Sequence, residues 1–204
     1  WVGLATAAGA VLLVVGAVQR YPVVEGTKNE VAAGPAVTDW RNYGGVPEGQ
    51  RFAQIDQINV ENVGKLKEAW RARTGVAYDF KQTPQMANGL LYICTAGNTL
   101  IAYDSDTGEK RWQYDTKTEV PGGELERSST FARTCRGLGY HEAPPEYTGE
   151  CAKRILAGTV DARLIAVDAM TGQLCRSFGF DGQVNLVSGL GRSPLGNFMV
   201  TSTP

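Results

Sequence analysis

Residues 134–143 read Thr-Cys-Arg-Gly-Leu-Gly-Tyr-His-Glu-Ala and hold two side chains suited to binding chemistry. Arg136 carries a planar guanidinium, which grips a carboxylate through two parallel donors that a lysine cannot copy. His141 is the only histidine of the chain. A neutral imidazole both donates and accepts a hydrogen bond, so it can orient a ligand, although a lone histidine also serves purely structural ends. Four cysteines stand nearby in sequence or beyond: Cys94, Cys135, Cys151 and Cys175. None forms a Cys-x-x-Cys pair, which argues against structural zinc and c-type haem. One histidine does not make a His-rich zinc site. Four cysteines allow three disulfide pairings. Cys135 and Cys151 bracket a long irregular stretch, and a bridge between them is the pairing expected. Cys94 and Cys175, in or beside regular segments, then read as buried thiols.

The elements that must position these groups follow from an internal repeat. Residues 91–108 and 155–172 align without a gap at an offset of 64, with 7 identities in 18 positions. A fixed offset of this kind marks a repeated supersecondary unit. Each copy reads as strand, short turn, strand, turn, strand, with strands expected at 91–95, 99–104, 155–159 and 163–168. The Asp-x-x-Thr-Gly ending of each copy is a turn, because Asp and Thr side chains bond nearby amides and Gly accepts a positive φ. Asp104 and Asp168 are thereby turn residues, as are Asp106 and Asp161, and none is a candidate for catalysis. Trp112 follows the first turn and is placed to pack on a neighbouring sheet. Repeated small antiparallel sheets build β-propellers, the competing architecture being a β-sandwich. The offset of 64 exceeds a usual blade of about 40–50 residues. The excess falls at residues 116–152, and a long insertion in a regular scaffold is where function is usually carried.

Composition agrees. Lys+Arg 20 against Asp+Glu 21 leaves a net charge of −1, without the basic excess of a nucleic-acid binder. Hydrophobic residues at 43% and charged residues at 20% describe a globular chain, not a disordered one. Gly 25 and Pro 9 favour many turns and short strands. Residues 1–18 contain no charged side chain. As a helix they would span roughly 27 Å at ~1.5 Å per residue, close to the ~30 Å hydrocarbon core of a bilayer. A signal peptide is the alternative, but the stretch has no basic leader and is longer than the usual apolar run. The reading is therefore a transmembrane helix over 1–18, a Pro/Gly-containing linker over 19–38 and a propeller domain over 39–204. The chain opens on Trp1 and closes on what reads as the start of a strand, so it is expected to be a piece of a longer protein.

The run Ala102-Tyr-Asp104-Ser-Asp-Thr107-Gly108-Glu-Lys-Arg-Trp112 resembles the tryptophan-docking motif of the pyrroloquinoline quinone (PQQ) dehydrogenases. The second copy keeps Ala166, Asp168, Thr171 and Gly172 but has Arg176 in place of the tryptophan, with Phe178 two residues on. Asp39-Trp40-Arg-Asn-Tyr43-Gly44, Gly49-Gln50-Arg51-Phe52-Ala53, Gln57-Ile58-Asn59, Asn62-Val63-Gly64-Lys65-Leu66, Ala69-Trp70, Gln82-Thr83-Pro84, the Cys135-Arg136-Gly137 stretch and Thr201-Ser202-Thr203-Pro204 resemble the membrane-bound glucose/quinate/shikimate dehydrogenases of that family.

The resemblance implies an all-β fold: the first two or so blades of an eight-bladed propeller, preceded by one transmembrane helix. It implies a protein of the bacterial inner membrane, its propeller in the periplasm and its helix in the lipid bilayer. The implied activity is oxidation of a sugar by hydride transfer to PQQ, with electrons passed to ubiquinone and Ca²⁺ or Mg²⁺ on the cofactor. Arg136 is the implied contact to a PQQ carboxylate, and His141 the implied group orienting cofactor and sugar. Thr201 matches a threonine that bonds PQQ. Lys81 stands where relatives often carry Glu or Gln, and as a cation it would face a PQQ carboxylate. The catalytic aspartate and the metal ligands are implied beyond Pro204, so this piece alone is expected to be inactive. Tyr140-His141-Glu142-Ala143 favours glucose over quinate or shikimate. A non-catalytic PQQ-like scaffold is the alternative of another class; such scaffolds are lipid-anchored and lack the Cys-Arg-Gly excursion.

Overall fold

The computed structural model describes residues 39–53, 55–76, 80–118, 135–191, 198–200 and 202–204. The expected transmembrane helix and the linker lie outside the described residues. Among the described residues no helix is long and apolar enough to cross a membrane.

Among the described residues, eight strands form two four-stranded antiparallel sheets, each a simple meander. The first sheet contains β1 (Gln85–Ala87), β2 (Leu90–Cys94), β3 (Thr99–Asp104) and β4 (Lys110–Asp115). The second contains β5 (Gly139–Glu142), β6 (Lys153–Gly158), β7 (Arg163–Asp168) and β8 (Gln183–Asn185). One 3₁₀ turn, Val63–Lys65, precedes them. The sequence repeat is thus β2–β3 and β6–β7. Its predicted third strand is present in both sheets, as β4 and β8. Each sheet also has a first strand, β1 or β5, which no sequence pattern revealed. Three or four residues are too few to show a period of two.

The turns form for local reasons. Asn88 and Gly89 both have positive φ (53° and 72°), which matches the twist of a two-residue hairpin between β1 and β2. The Asp104 carboxylate accepts the Asp106 and Thr107 amides and the Thr107 hydroxyl, at 3.1, 3.0 and 3.0 Å. Asp168 does the same for Met170 and Thr171. These bonds, led by those from Thr107, hold the Asp104 carboxyl below the usual aspartate range.

The sheets pack face to face. Tyr92, Leu100, Ala102 and Trp112 of the first share one buried cluster with Ile155, Ala157, Ile165 and Val167 of the second. The Trp112 indole lies over Gly172, where an added Cβ would sit 2.6 Å from the ring, and its N–H donates to the Ala169 carbonyl at 2.9 Å. Trp70 repeats the arrangement one unit earlier. Its ring covers Gly108, its N–H donates to the Ser105 carbonyl at 3.0 Å, and an added Cβ on Gly108 would meet the ring at 2.5 Å. Ser105 and Ala169 are 64 apart, as are Gly108 and Gly172, so the two dockings use equivalent positions. At the third position, Arg176 instead pairs with Asp181 on the surface, and Phe178 packs against the Cys151–Cys175 cluster of its own sheet.

The disulfides differ from the expected pairing. Cys94 bonds Cys135 and Cys151 bonds Cys175, with Cα–Cα distances of 5.9 and 5.8 Å. Cys135–Cys151 is not formed, and Cys94 and Cys175 are half-cystines, not free thiols. The reason is spatial. Cys135 enters the core between the sheets at the end of β2, whereas Cys151 lies in a separate cluster with Ala166 and Cys175. Bracketing a loop in sequence did not place its two ends together. By chain entropy, closures of 41 and 24 residues each stabilise by about 3–4 kcal/mol. Replacing Cys151 and Cys175 together by Ala is expected to lower the unfolding free energy by about 2–4 kcal/mol, read as a shifted denaturant midpoint of the full-length protein.

Candidate functional site

A cavity of about 430 Å³ is lined by Tyr43, Lys81, Arg136, Ser202 and Thr203. Two of its wall segments have equivalent origins: residues 81–84 lead into β1 and residues 135–138 lead into β5. Residues 202–204 lie beside the start of β5. The repeat therefore brings the same kind of segment, the lead-in to a first strand, to one end of the stack.

Each segment is held by buried neighbours. Gln82 is nine-tenths buried; its amide donates to the Tyr92 carbonyl at 3.5 Å, and its side-chain oxygen accepts the Cys94 amide. This ties the Lys81 backbone to β2. Cys94 in turn carries the disulfide to Cys135, next to Arg136. Gly137 completes the Cys-Arg-Gly motif for a steric reason. A Cβ there would lie 2.2 Å from the Thr203 hydroxyl, so any side chain at this position would require the Thr203 side chain to move. Tyr43 is held in a tight turn in which the Gly45 amide donates to the Asn42 carbonyl at 2.9 Å. That turn is anchored by Trp40, which exchanges both backbone hydrogen bonds with Met86 of β1.

The lining is chemically one-sided: a guanidinium, an ammonium and three hydroxyls. Such a set accepts a ligand rich in anionic oxygens. The volume lies within the ~300–1,000 Å³ range of small-molecule sites. Tyr43 has a hydroxyl pKa below that of free tyrosine, because Arg51 and Thr83 hydrogen-bond it and the charge of Arg136 adds to the effect.

Of the candidate residues, Arg136 and Lys81 are brought together in this cavity. Thr201 lies outside the described residues, while its neighbours Ser202 and Thr203 line the wall. His141 sits exposed on β5, in register with Arg154, and is not part of the lining. Its neighbours Tyr140 and Glu142 face the other way, into a polar network joining the sheets. Asn88 donates to the Tyr140 hydroxyl at 2.7 Å, which donates to Glu142 at 3.2 Å. Glu142 pairs with Arg41 at 2.7 Å and Lys153 at 3.5 Å. Burial raises the Glu142 pKa, but the two cations outweigh it and hold the carboxyl below the usual range. Among the described residues no cluster of three or more His, Cys, Asp or Glu side chains could hold a metal ion. Tyr43 and Ser202 were legible only as parts of longer motifs, since neither residue type signals a site by itself.

Residues 40–204 match the family described as PQQ: Glucose/ethanol/alcohol dehydrogenase, beta-propeller domain. The quinoprotein glucose dehydrogenase of Escherichia coli (strain K12) is 39% identical over 197 residues, covering 88% of this chain and 24% of the relative. The quinate/shikimate dehydrogenase (quinone) of Acinetobacter baylyi is 36% identical over 193 residues, covering 81% and 22%. Among solved structures, the quinohemoprotein alcohol dehydrogenase from Comamonas testosteroni matches with a TM-score of 0.63 and 26% identity over 85% of this chain and 22% of that one. The chain thus spans about a quarter of the length of the curated relatives it matches. With its paired meander sheets, its repeated tryptophan docking and a match over residues 40–204, the chain belongs to the PQQ β-propeller family of glucose, ethanol and alcohol dehydrogenases.

Proposed function

We propose that the protein to which this chain belongs oxidises glucose in a PQQ-dependent reaction and passes the electrons to ubiquinone. The observation that carries the reading is the cavity in which Arg136 and Lys81 meet. PQQ is flat and bears three carboxylates, so two cations and three hydroxyl donors suit it in charge and in hydrogen-bonding capacity. Bound there, the quinone supplies the hydride acceptor for an alcohol carbon. Arg136 would grip one carboxylate through paired donors, and Lys81 would neutralise a second. His141 would orient the sugar from β5, and Thr201 would bond the cofactor beside Ser202. The general base and the ligands for Ca²⁺ or Mg²⁺ belong to the part of the relatives that this chain does not span. The described residues do not fit a metal ion.

Glucose is preferred because Tyr140-His141-Glu142-Ala143 resembles the glucose members of the family more than the quinate members; a relative named for glucose oxidation is 39% identical. Quinate or shikimate is the second reading, favoured by the relative named for them. We place the protein in the bacterial inner membrane, anchored through residues 1–18, with the propeller in the periplasm.

The test uses the full-length protein in membranes, loaded with PQQ and Ca²⁺ or Mg²⁺, with reduction of a ubiquinone analogue followed on each substrate. Turnover of glucose and not of quinate is expected. Turnover of quinate alone would replace the substrate. Absence of both PQQ uptake and turnover would remove the enzyme reading and leave a membrane-tethered propeller that works by binding.

A further inference from the structure

We propose that Tyr43 is a further cofactor-binding residue, its hydroxyl donating a hydrogen bond to an oxygen of PQQ bound beside Arg136 and Lys81. The inference rests on the reading of the cavity as the PQQ site. Tyr43 lies far from the other lining residues in sequence, in the turn that opens the domain, yet it forms part of the same wall.

Three features distinguish it from a surface tyrosine that happens to border a cleft. The first is its mounting. Gly44 and Gly45 follow it, and both are close-packed. A Cβ on Gly44 would meet the Gly49 backbone at 2.4 Å, and one on Gly45 would meet the Trp40 ring at 3.1 Å. The Arg51 amide closes the loop onto the Gly44 carbonyl at 2.8 Å. The ring is therefore presented from a rigid turn, and little ordering remains to be done when a ligand arrives.

The second is Arg51. Its guanidinium carbon lies 4.8 Å from the centre of the Tyr43 ring. Its backbone is left-handed (φ 54°), a conformation that a bulky side chain rarely adopts. An unfavourable backbone that persists is evidence that the surroundings require it. Here it delivers a cation to the face of the Tyr43 ring.

The third is proton bookkeeping. A guanidinium can only donate, so Arg51 over the ring leaves the phenol proton to an acceptor, while the Thr83 hydroxyl beside Tyr43 can take either role. A donor polarised by a cation makes stronger hydrogen bonds to anionic oxygens than a neutral one does. With two cations across the cavity, a carboxylate-bearing ligand is the acceptor that the lining selects.

The experiment titrates PQQ into the full-length protein and follows quenching of tryptophan fluorescence, with no substrate present. Tyr43→Phe removes one oxygen and keeps the ring beneath Arg51. The expected result is about tenfold weaker PQQ binding, with the melting temperature of the cofactor-free protein unchanged. Equal affinities of wild type and Tyr43→Phe would overturn the proposal while leaving the PQQ reading intact. Weaker binding with a lowered melting temperature of the cofactor-free protein would also overturn it, since the tyrosine would then act through the fold. Failure of the wild type itself to bind PQQ would remove the underlying reading.

Discussion

Replacing Arg136 by Ala is expected to weaken PQQ binding to the full-length protein by about 10–100-fold. The estimate comes from the ~1.5–3 kcal/mol of a hydrogen bond to a charged group, at 1.4 kcal/mol per tenfold. Arg136 is itself exposed in the chain described here, so its removal leaves no buried partner stranded and should not affect the fold. Its neighbours explain the specific loss. Cys135 and Gly137 are both buried, one held by the disulfide and one by close packing against Thr203, and between them they fix where the arginine projects. Arg136→Lys should recover only part of the affinity, because a point charge cannot make the paired contact. Arg71→Ala is a suitable control. Among the described residues that arginine pairs only with Glu68, at 2.6 Å on the exposed surface, and it should leave binding unchanged. Equilibrium titration followed by fluorescence distinguishes these outcomes. Equal affinity for wild type and Arg136→Ala would contradict the assignment.

The largest effect on stability is expected at the Trp112–Gly172 contact. Trp112 is 8% exposed, packs against Tyr92 at 6.0 Å between ring centres, and makes one hydrogen bond across the sheets. Trp112→Ala removes that volume from the junction of two sheets, at a cost of about 3–5 kcal/mol. Gly172→Ala acts on the same contact from the other side. Its φ of +71° disfavours any side chain by about 1–2 kcal/mol, and its Cβ would lie 2.6 Å from the indole. The double variant gives the sharper test. With the indole gone, the added methyl has room, so Gly172→Ala should cost only its backbone part. The two losses should therefore sum to more than the loss in the double variant, as neighbours that share one contact do. Denaturant midpoints of the full-length variants measure this. Strict additivity would mean that Gly172 is needed for its backbone alone and not for the docking.

The equivalence of the two dockings also shows what repetition achieves. Each tryptophan leaves one unit and covers the glycine of the next, so neighbouring units are clamped by the motif that ends each strand pair. The sequence carried this contact only indirectly. Trp112 was legible as a residue placed to pack on a neighbouring sheet, but its partner at Gly172 is 60 positions away.

Much of the local structure was written in the chain. β3 and β7 coincide with the expected strands, and β2 and β6 differ only at their ends. The Asp-x-x-Thr-Gly turns were legible because their bonds join residues two or three positions apart, at Asp104 as at Asp168. Arg136 and Lys81 were singled out on residue type and resemblance, and the fold brings them to one cavity. What the chain did not disclose is long-range. β1 and β5 are too short to show a pattern, and they exist because β2 and β6 offer them an edge to pair with. The disulfides follow from which cysteines reach the same core, so Cys94 and Cys175 found partners that order along the chain did not suggest. Tyr43 and Thr203 join Arg136 from positions far apart in sequence, through a turn at one end and a close glycine contact at the other. Sequence by itself determined the repeat, its turns and the family, because these depend on neighbours within a few residues. Only the tertiary structure decided the disulfide pairing and the composition of the site, because both depend on which distant segments are packed against each other.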